Sequence, residues 1–445
     1  MTHRVKYLLG LLGLSITTNT IAQSAKFDSV WNDPAVIQRI DEGIEANRKG
    51  DFTLQLPAYK GKTEIEIKQV KNEFYFGANA FMVNGFESKE RNLGFEKLFA
   101  SLFNLAVVPF FWQTLEPQQG KLRYDSTSEP IYRRPPPDVV LDFCRKYDIT
   151  PKGHCLVWNN PTHSIPTWMP KDTPTVERLF AERIKAIAQR YGNSIRMWDV
   201  VNEAMRWPQQ VVMPRDYVYK SFKTAFESFP AQDQLMINEA TVEVWQNDNQ
   251  DYSPYYMMIQ NLRERGVDVK GIGLQFHFFS DKLWQETLAG KSMTPAQLFS
   301  ILDLYATFNK PLQVSEITIP TLPNNEEGRL QQARLTKNFY KLWFSHPAVQ
   351  GIVWWNPVDS TAVKGEDKWN GGFVNNDFSP KPAYEVLNTL INKDWKTNIN
   401  TSVQSDTYAF RGFYGEYIVR IRQGKKTIER KITFSRNGNK NTAIQ

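Results

Sequence analysis

The sequence predicts a closed eight-stranded β/α barrel with a short N-terminal strand pair and a small C-terminal β module. Three observations predict it. Short apolar runs alternate with segments of helical spacing over about 320 residues, the signature of parallel strands joined by helical crossovers. The runs number eight, enough to close a barrel. No early strand leads into the glycine turn or P-loop lysine of an open nucleotide-binding sheet; Phe76-Gly77-Ala78-Asn79 is not one.

The elements follow in order. Met1–Ala22 carries Arg4 and Lys6, then the apolar run Tyr7–Ile16, then small and polar residues. That order reads as a secretory signal peptide, with a run too short to anchor permanently in a bilayer. Loss of Arg4 and Lys6 lowers the formal charge of +7 by two. Residues 23–72 form an N-terminal extension with a strand pair, Phe52–Leu56 and Thr63–Val70, around Gly61. Residues 73–396 form the barrel. Its strands are expected at Phe74–Phe81, Leu105–Trp112, Thr150–Trp158, Arg196–Glu203, Gln234–Ala240, Gly271–His277, Leu312–Ile319 and Gly351–Pro357. The clearest helices between them are Thr175–Tyr191, Arg215–Phe229, Tyr255–Arg265, Pro295–Phe308 and Arg329–Phe344. Residues 397–445 form the β module, Thr407–Phe434 turning at Gly424, and a disordered tail from Asn437.

Composition narrows the function. A hydrophobic share of 41% excludes disorder as the main state. The charge of +7 is spread along the chain, so a nucleic-acid partner has no electrostatic footprint. Beyond the leader no apolar stretch suits a membrane span. Cys144 and Cys155 read as small buried hydrophobes, and no His/Cys/Asp cluster indicates a metal. The chain is rich in rings, with 13 Trp, 18 Tyr and 28 Phe, which suit either a large core or the walls of a sugar cleft.

Barrel chemistry sits at the C-terminal strand ends. Those ends present His154 and Trp158, Asn202-Glu203, Gln275 and His277, Glu316, and Trp354-Trp355. Two glutamates on separate strands, among amides, imidazoles and indoles, fit glycosidic bond cleavage: one carboxyl group protonates the leaving oxygen and the other works at the anomeric carbon. Either glutamate alone fits a salt-bridged rim residue equally well; the joint pattern is the signal.

The same residues carry a family resemblance. Trp198-Asp199-Val200-Val201-Asn202-Glu203-Ala204 resembles the acid/base segment of glycoside hydrolase family 10, the family of many endo-β-1,4-xylanases. Gly153–Trp158, Gln275-Phe276-His277, Val314–Ile319, Gly351–Trp355 and Ser379–Tyr384 resemble its other strand segments, in the same order along the chain. The resemblance implies a retaining glycosidase in which Glu203 is the general acid/base and Glu316 the nucleophile. Asn202 would bond the sugar 2-hydroxyl, and His277 would orient Glu316 and help keep it ionised. His154, Trp158, Asn159, Gln275, Trp355, Trp112 and Trp369 would bind substrate. No cofactor is expected, the partner is expected to be a polysaccharide or oligosaccharide, the protein is expected to be a monomer, and the leader implies export to the periplasm or medium.

The sequence also departs from the family pattern. Family members usually carry a Glu-Asn pair and a Lys at the end of strand two, binding sugars on the non-reducing side of the cut; here stand Val107-Val108-Pro109-Phe110-Phe111-Trp112. The second His of strand three is replaced by Asn159, and Asn238-Glu239-Ala240-Thr241 lacks the usual aromatic-plus-Asn ending on the leaving-group side. Three readings follow: a glycosidase on xylan or a related β-glycan, one on a modified, differently linked or short oligosaccharide, and a non-catalytic carbohydrate-binding barrel.

Overall fold

The computed structural model describes residues 26–205 and 213–444, so the expected leader Met1–Ala22 lies outside the described residues. In chain order the strands are β1 (Lys49–Gln55), β2 (Thr63–Asn72), β3 (Tyr75–Asn79), β4 (Leu105–Pro109), β5 (Thr150–Trp158) and β6 (Met197–Asn202). β7 (Gln234–Glu239), β8 (Gly271–His277), β9 (Leu312–Thr318), β10 (Val349–Trp354), β11 (Asn398–Val403) and β12 (Thr407–Phe413) follow. The last are β13 (Gly415–Gln423), β14 (Lys426–Phe434) and β15 (Asn441–Ala443).

β3 to β10 close into a barrel in which β10 returns to pair in parallel with β3. All eight expected strands are present, so the predicted barrel is observed. Successive side chains of a strand point to opposite faces. On β8, Ile272, Leu274 and Phe276 join the large core between barrel and helices, while Gln275 and His277 reach the mouth of the barrel. Leu105, Val107, Met197, Met236 and Val353 form a second, interior cluster. Gly153 permits the close approach of β5 and β6: a Cβ there would lie 2.1 Å from the Trp198 ring. Several helices are capped by their own sequence, as at Thr173–Tyr191, where the Asp172 side chain accepts the Thr175 N–H at 2.9 Å.

The two ends of the chain depart from expectation. β1 and β2 do not pair with each other. β1 pairs with β12 and β15, and β2 pairs with β11 and β13. The expected extension and C-terminal module are thus one structure, sharing a core of Phe52, Leu54, Ile65, Ile67, Tyr417, Val419 and Phe434. The reason is edge pairing: a lone two-stranded unit leaves backbone donors open and is marginal, whereas partners from the other end satisfy them. The same demand orders part of the expected tail, because β15 adds to the edge of β1 at Thr53–Gln55. A helix at Pro34–Arg48, absent from the sequence reading, packs on Glu326–Ser345. Its buried Arg48 donates to the His346 and Val349 carbonyls, each at 2.6 Å, tying it to the foot of β10.

Candidate active site

Bulges aim the side chains that matter. Strict alternation would send Asp199 and Asn202 to opposite faces of β6, but the register slips between Asp199 and Val201. Asp199 then reaches His154 inside the barrel, Asn202 meets Gln275 at the mouth, and Trp198, Val200 and Val201 go to the outer core. A similar slip on β9 lets Gln313 and Glu316 both face inward. Glu203 follows β6 in a left-handed backbone conformation, φ 49°, with its N–H bound to the Asn238 carbonyl at 2.9 Å. Such strained residues concentrate at functional sites.

Gln275 joins the two glutamates. Its Nε2 lies 3.1 Å from Oε1 of Glu203, 3.1 Å from Oε1 of Glu316 and 3.3 Å from Oδ1 of Asn202. An amide has two hydrogens for these three acceptors. Asn238 supplies a second fixed donor: its Nδ2 donates to Glu316 at 2.8 Å and to Asn202 Oδ1 at 2.7 Å. The Asn202 carbonyl is thereby occupied, and its NH₂ is the end offered to a ligand. Trp158 Nε1 donates to the other oxygen of Glu203 at 3.3 Å.

Behind Glu316 runs a buried row of ionisable side chains. Lys152 stands 2.9 Å from Asp199, whose other oxygen is 2.8 Å from His154 Nδ1, and His154 Nε2 is 3.9 Å from Glu316. Burial alone would raise Asp199, but Lys152 and His154 outweigh it and hold it below its ordinary range. His277 approaches Glu316 Oε2 at 3.2 Å through Nε2 and the Thr318 hydroxyl at 2.9 Å through Nδ1. Glu316 itself is only 4% exposed, and this burial pushes it up to about 8; His154 opposes the rise and Glu203 adds to it. Desolvation thus outweighs the opposing charge of His154 and Lys152 at Glu316.

A cavity of about 530 Å³ opens over these groups. His154, Trp158, Asn202, Glu203, Gln275, His277, Glu316, Trp355 and Trp369 all line it. Two expected binding residues do not. Trp112 lies in the outer core, its Nε1 bound to Glu116 at 2.7 Å and its ring against Trp168 and Phe180. Asn159 is 8% exposed and outside the lining, because Trp158 takes the inward position and its neighbour turns away. Phe110 likewise packs outward on Tyr191 and Trp198, so of the aromatics at the end of strand two only Phe111 joins the interior cluster. Sequence reasoning missed Asp199, Asn238 and Thr318 as support for the site. Asp199 lies within the quoted motif, and a buried polar residue mid-strand is its signal.

The sequence model of glycosyl hydrolase family 10 matches residues 69–390. The chain belongs to this family. Endo-1,4-beta-xylanase 1 of Arabidopsis thaliana is 24% identical over 398 residues, 87% of this chain and 38% of that protein. The anti-sigma-I factor RsgI6 of Acetivibrio thermocellus is 26% identical over 324 residues, 70% of this chain and 36% of that protein. The chain thus spans well under half the length of these curated relatives. Among solved structures, xylanase 10B of Thermotoga petrophila in complex with xylobiose superposes with TM-score 0.58 at 20% identity, over 72% of this chain and 95% of that one. Among the described residues no helix is long and apolar enough to cross a membrane.

Proposed function

We propose that the protein is a retaining β-glycosidase that cleaves xylan or a related β-glycan by double displacement. One observation carries the reading. A single nitrogen, Gln275 Nε2, is 3.1 Å from an oxygen of each glutamate, so those oxygens are at most twice that distance apart. Retaining pairs stand about 5–5.5 Å apart, whereas inverting pairs stand about 6.5–9.5 Å apart to admit water. The shared amide supports the shorter spacing.

Glu203 gives its proton to the leaving oxygen as the glycosidic C–O bond breaks, and an oxygen of Glu316 forms the new bond to the anomeric carbon. Water then attacks that carbon, its proton passes to Glu203, and Glu316 leaves as carboxylate. Asn202 meets the sugar 2-hydroxyl with its free NH₂. His277 and Asn238 hold the Glu316 carboxylate, and Trp158, Trp355 and Trp369 wall the sugar. The xylanase names of several relatives support a xylan-type substrate, and the leader pattern of Met1–Ala22 supports export. The test is the anomeric form of the first product, followed by proton NMR during hydrolysis of an aryl β-glycoside. Initial release of the β-anomer is expected; initial release of the α-anomer overturns the double displacement.

A further inference from the structure

The cavity over the two glutamates is lined from β5 round to the loop after β10, and no residue from the ends of β3 or β4 contributes. That quadrant is filled. Phe81 and Phe111, 1% and 3% exposed, meet edge to face at 5.6 Å, and Phe81 meets Trp355 at 5.2 Å. Above them the Arg134 guanidinium lies 4.2 Å from the Phe111 ring centre and 5.5 Å from that of Phe81. The neighbouring segment is pinned across the mouth. Arg133 donates to the Thr361 carbonyl and, at 2.8 Å, to Asn356 Oδ1, and the Tyr132 hydroxyl donates to the same Thr361 carbonyl at 3.0 Å. Asn356 is held in turn by Glu366 at 2.8 Å.

The chemistry tells which side is closed. Glu203 delivers its proton to the leaving oxygen, and the lining continues from Glu203 over Trp158, Asn160 and His163 on one side and over Thr241 and Phe279 on the other. The leaving group departs over those strand ends. The attacked sugar lies over Glu316, and a sugar preceding it would have to enter the quadrant of β3 and β4. We propose that this aromatic and arginine plug ends the cleft one sugar beyond the cut bond, so that the protein removes single units from the non-reducing end of its glycan. The proposal rests on the glycosidase reading and adds the end of the chain on which it works.

The test uses the full chain and paired 4-nitrophenyl substrates, a β-monoside and the matching β-1,4-bioside of xylose, glucose, galactose and mannose. For whichever sugar is turned over, kcat/KM on the monoside should equal or exceed that on the bioside. With xylotetraose labelled by ¹⁸O at the reducing end, xylose without label should be the first product. A bioside preferred by about tenfold or more, or early labelled xylobiose, overturns the proposal while leaving the glycosidase reading intact. No turnover of any pair by folded protein overturns that reading and the proposal with it. Removing the plug in Phe111→Ala, or only its lid in Arg134→Ala, should raise the bioside-to-monoside ratio, by about tenfold for Phe111→Ala. An unchanged ratio in both variants, each with a cooperative melting transition, also overturns it.

Discussion

Across the barrel, β5 to β9 carry lysine, histidine, aspartate, asparagine, glutamine and glutamate in two hydrogen-bonded networks that meet where His154 stands 3.9 Å from Glu316. The ends of β3 and β4 carry Phe81 and Phe111 beneath two arginines. The two halves hold their shape differently. In the polar half each donor fixes the direction of an acceptor, and a missing partner leaves a buried group unpaired at a cost of about 1–3 kcal/mol. In the apolar half contact area and volume decide, and a lost ring leaves a void. The polar half can orient two carboxylates; the apolar half can only admit or refuse a sugar. Changes in the polar half should therefore act on turnover, and changes in the apolar half on stability and reach.

The sharpest way to break this contrast is to remove a carboxylate. Glu316→Ala and Glu203→Ala should each lower kcat by several orders of magnitude on a natural glycan, in protein that still melts cooperatively. The two should then diverge on substrates with good leaving groups. A 4-nitrophenyl group needs little protonation, so Glu203→Ala should retain more activity there than Glu316→Ala. Equal residual activity on both substrate types would assign the two roles wrongly.

Next in size is Asn238→Ala. It removes the bonds to Glu316 and Asn202 together. We expect kcat to fall by about 10²-fold and stability by about 1–3 kcal/mol, read by steady-state kinetics and denaturant titration. Phe111→Ala reverses the order, costing about 3–5 kcal/mol of stability. If Asn238→Ala cost mainly stability, the polar half would be a packing element like its neighbour.

How far the sequence showed these halves depends on what each signal encodes. The barrel was legible because eight apolar runs alternating with segments of helical spacing repeat one physical pattern, and Glu203, Glu316, Asn202, His277 and Gln275 were legible because a motif fixes them. Trp112 and Asn159 misled because a motif position does not state which face a residue takes: one slip of a strand sends a side chain outward. The bulges that turn Asp199 and Asn202 to the same side are set by pairing with neighbouring strands, which local sequence does not encode. The pairing of β1 with β12 and β15 was hidden for the same reason, since its partners lie at the other end of the chain.

A pH experiment sharpens the contrast further, because the two carboxyl groups raised furthest sit in the polar half. Burial raises Glu316 to about 8 and Glu239 to about 8. The folded protein thus holds protons that the unfolded chain releases near the ordinary carboxylate range. Their contribution to stability is full below that range and is lost as pH rises through about 8. Melting temperature should fall between pH 5 and pH 9. Glu316→Gln should flatten this fall in part, leaving the share of Glu239. A variant with the same slope as the parent would mean that Glu316 is not protonated in the folded, unliganded site.

The smallest effect expected is that of Thr318→Val, which keeps the shape of the side chain and removes only the hydroxyl 2.9 Å from His277 Nδ1. A hydroxyl can donate or accept. With Glu316 ionised, it donates to Nδ1, and Nε2–H points at the carboxylate 3.2 Å away. With Glu316 protonated, the hydroxyl accepts from Nδ1–H, and Nε2 accepts from the carboxylic acid. Thr318 thus lets His277 follow the proton on Glu316 without moving, which valine cannot. One neutral hydrogen bond contributes about 0.5–1.5 kcal/mol, so kcat/KM should fall by no more than about tenfold. The diagnostic readout is the acidic limb of the kcat/KM profile, which should move upward because ionised Glu316 loses support through His277. Thr318→Ser should restore it. A valine variant with the parent's profile would show that Glu316 draws its support from Asn238 and Gln275 alone, and that the imidazole is a wall of the site.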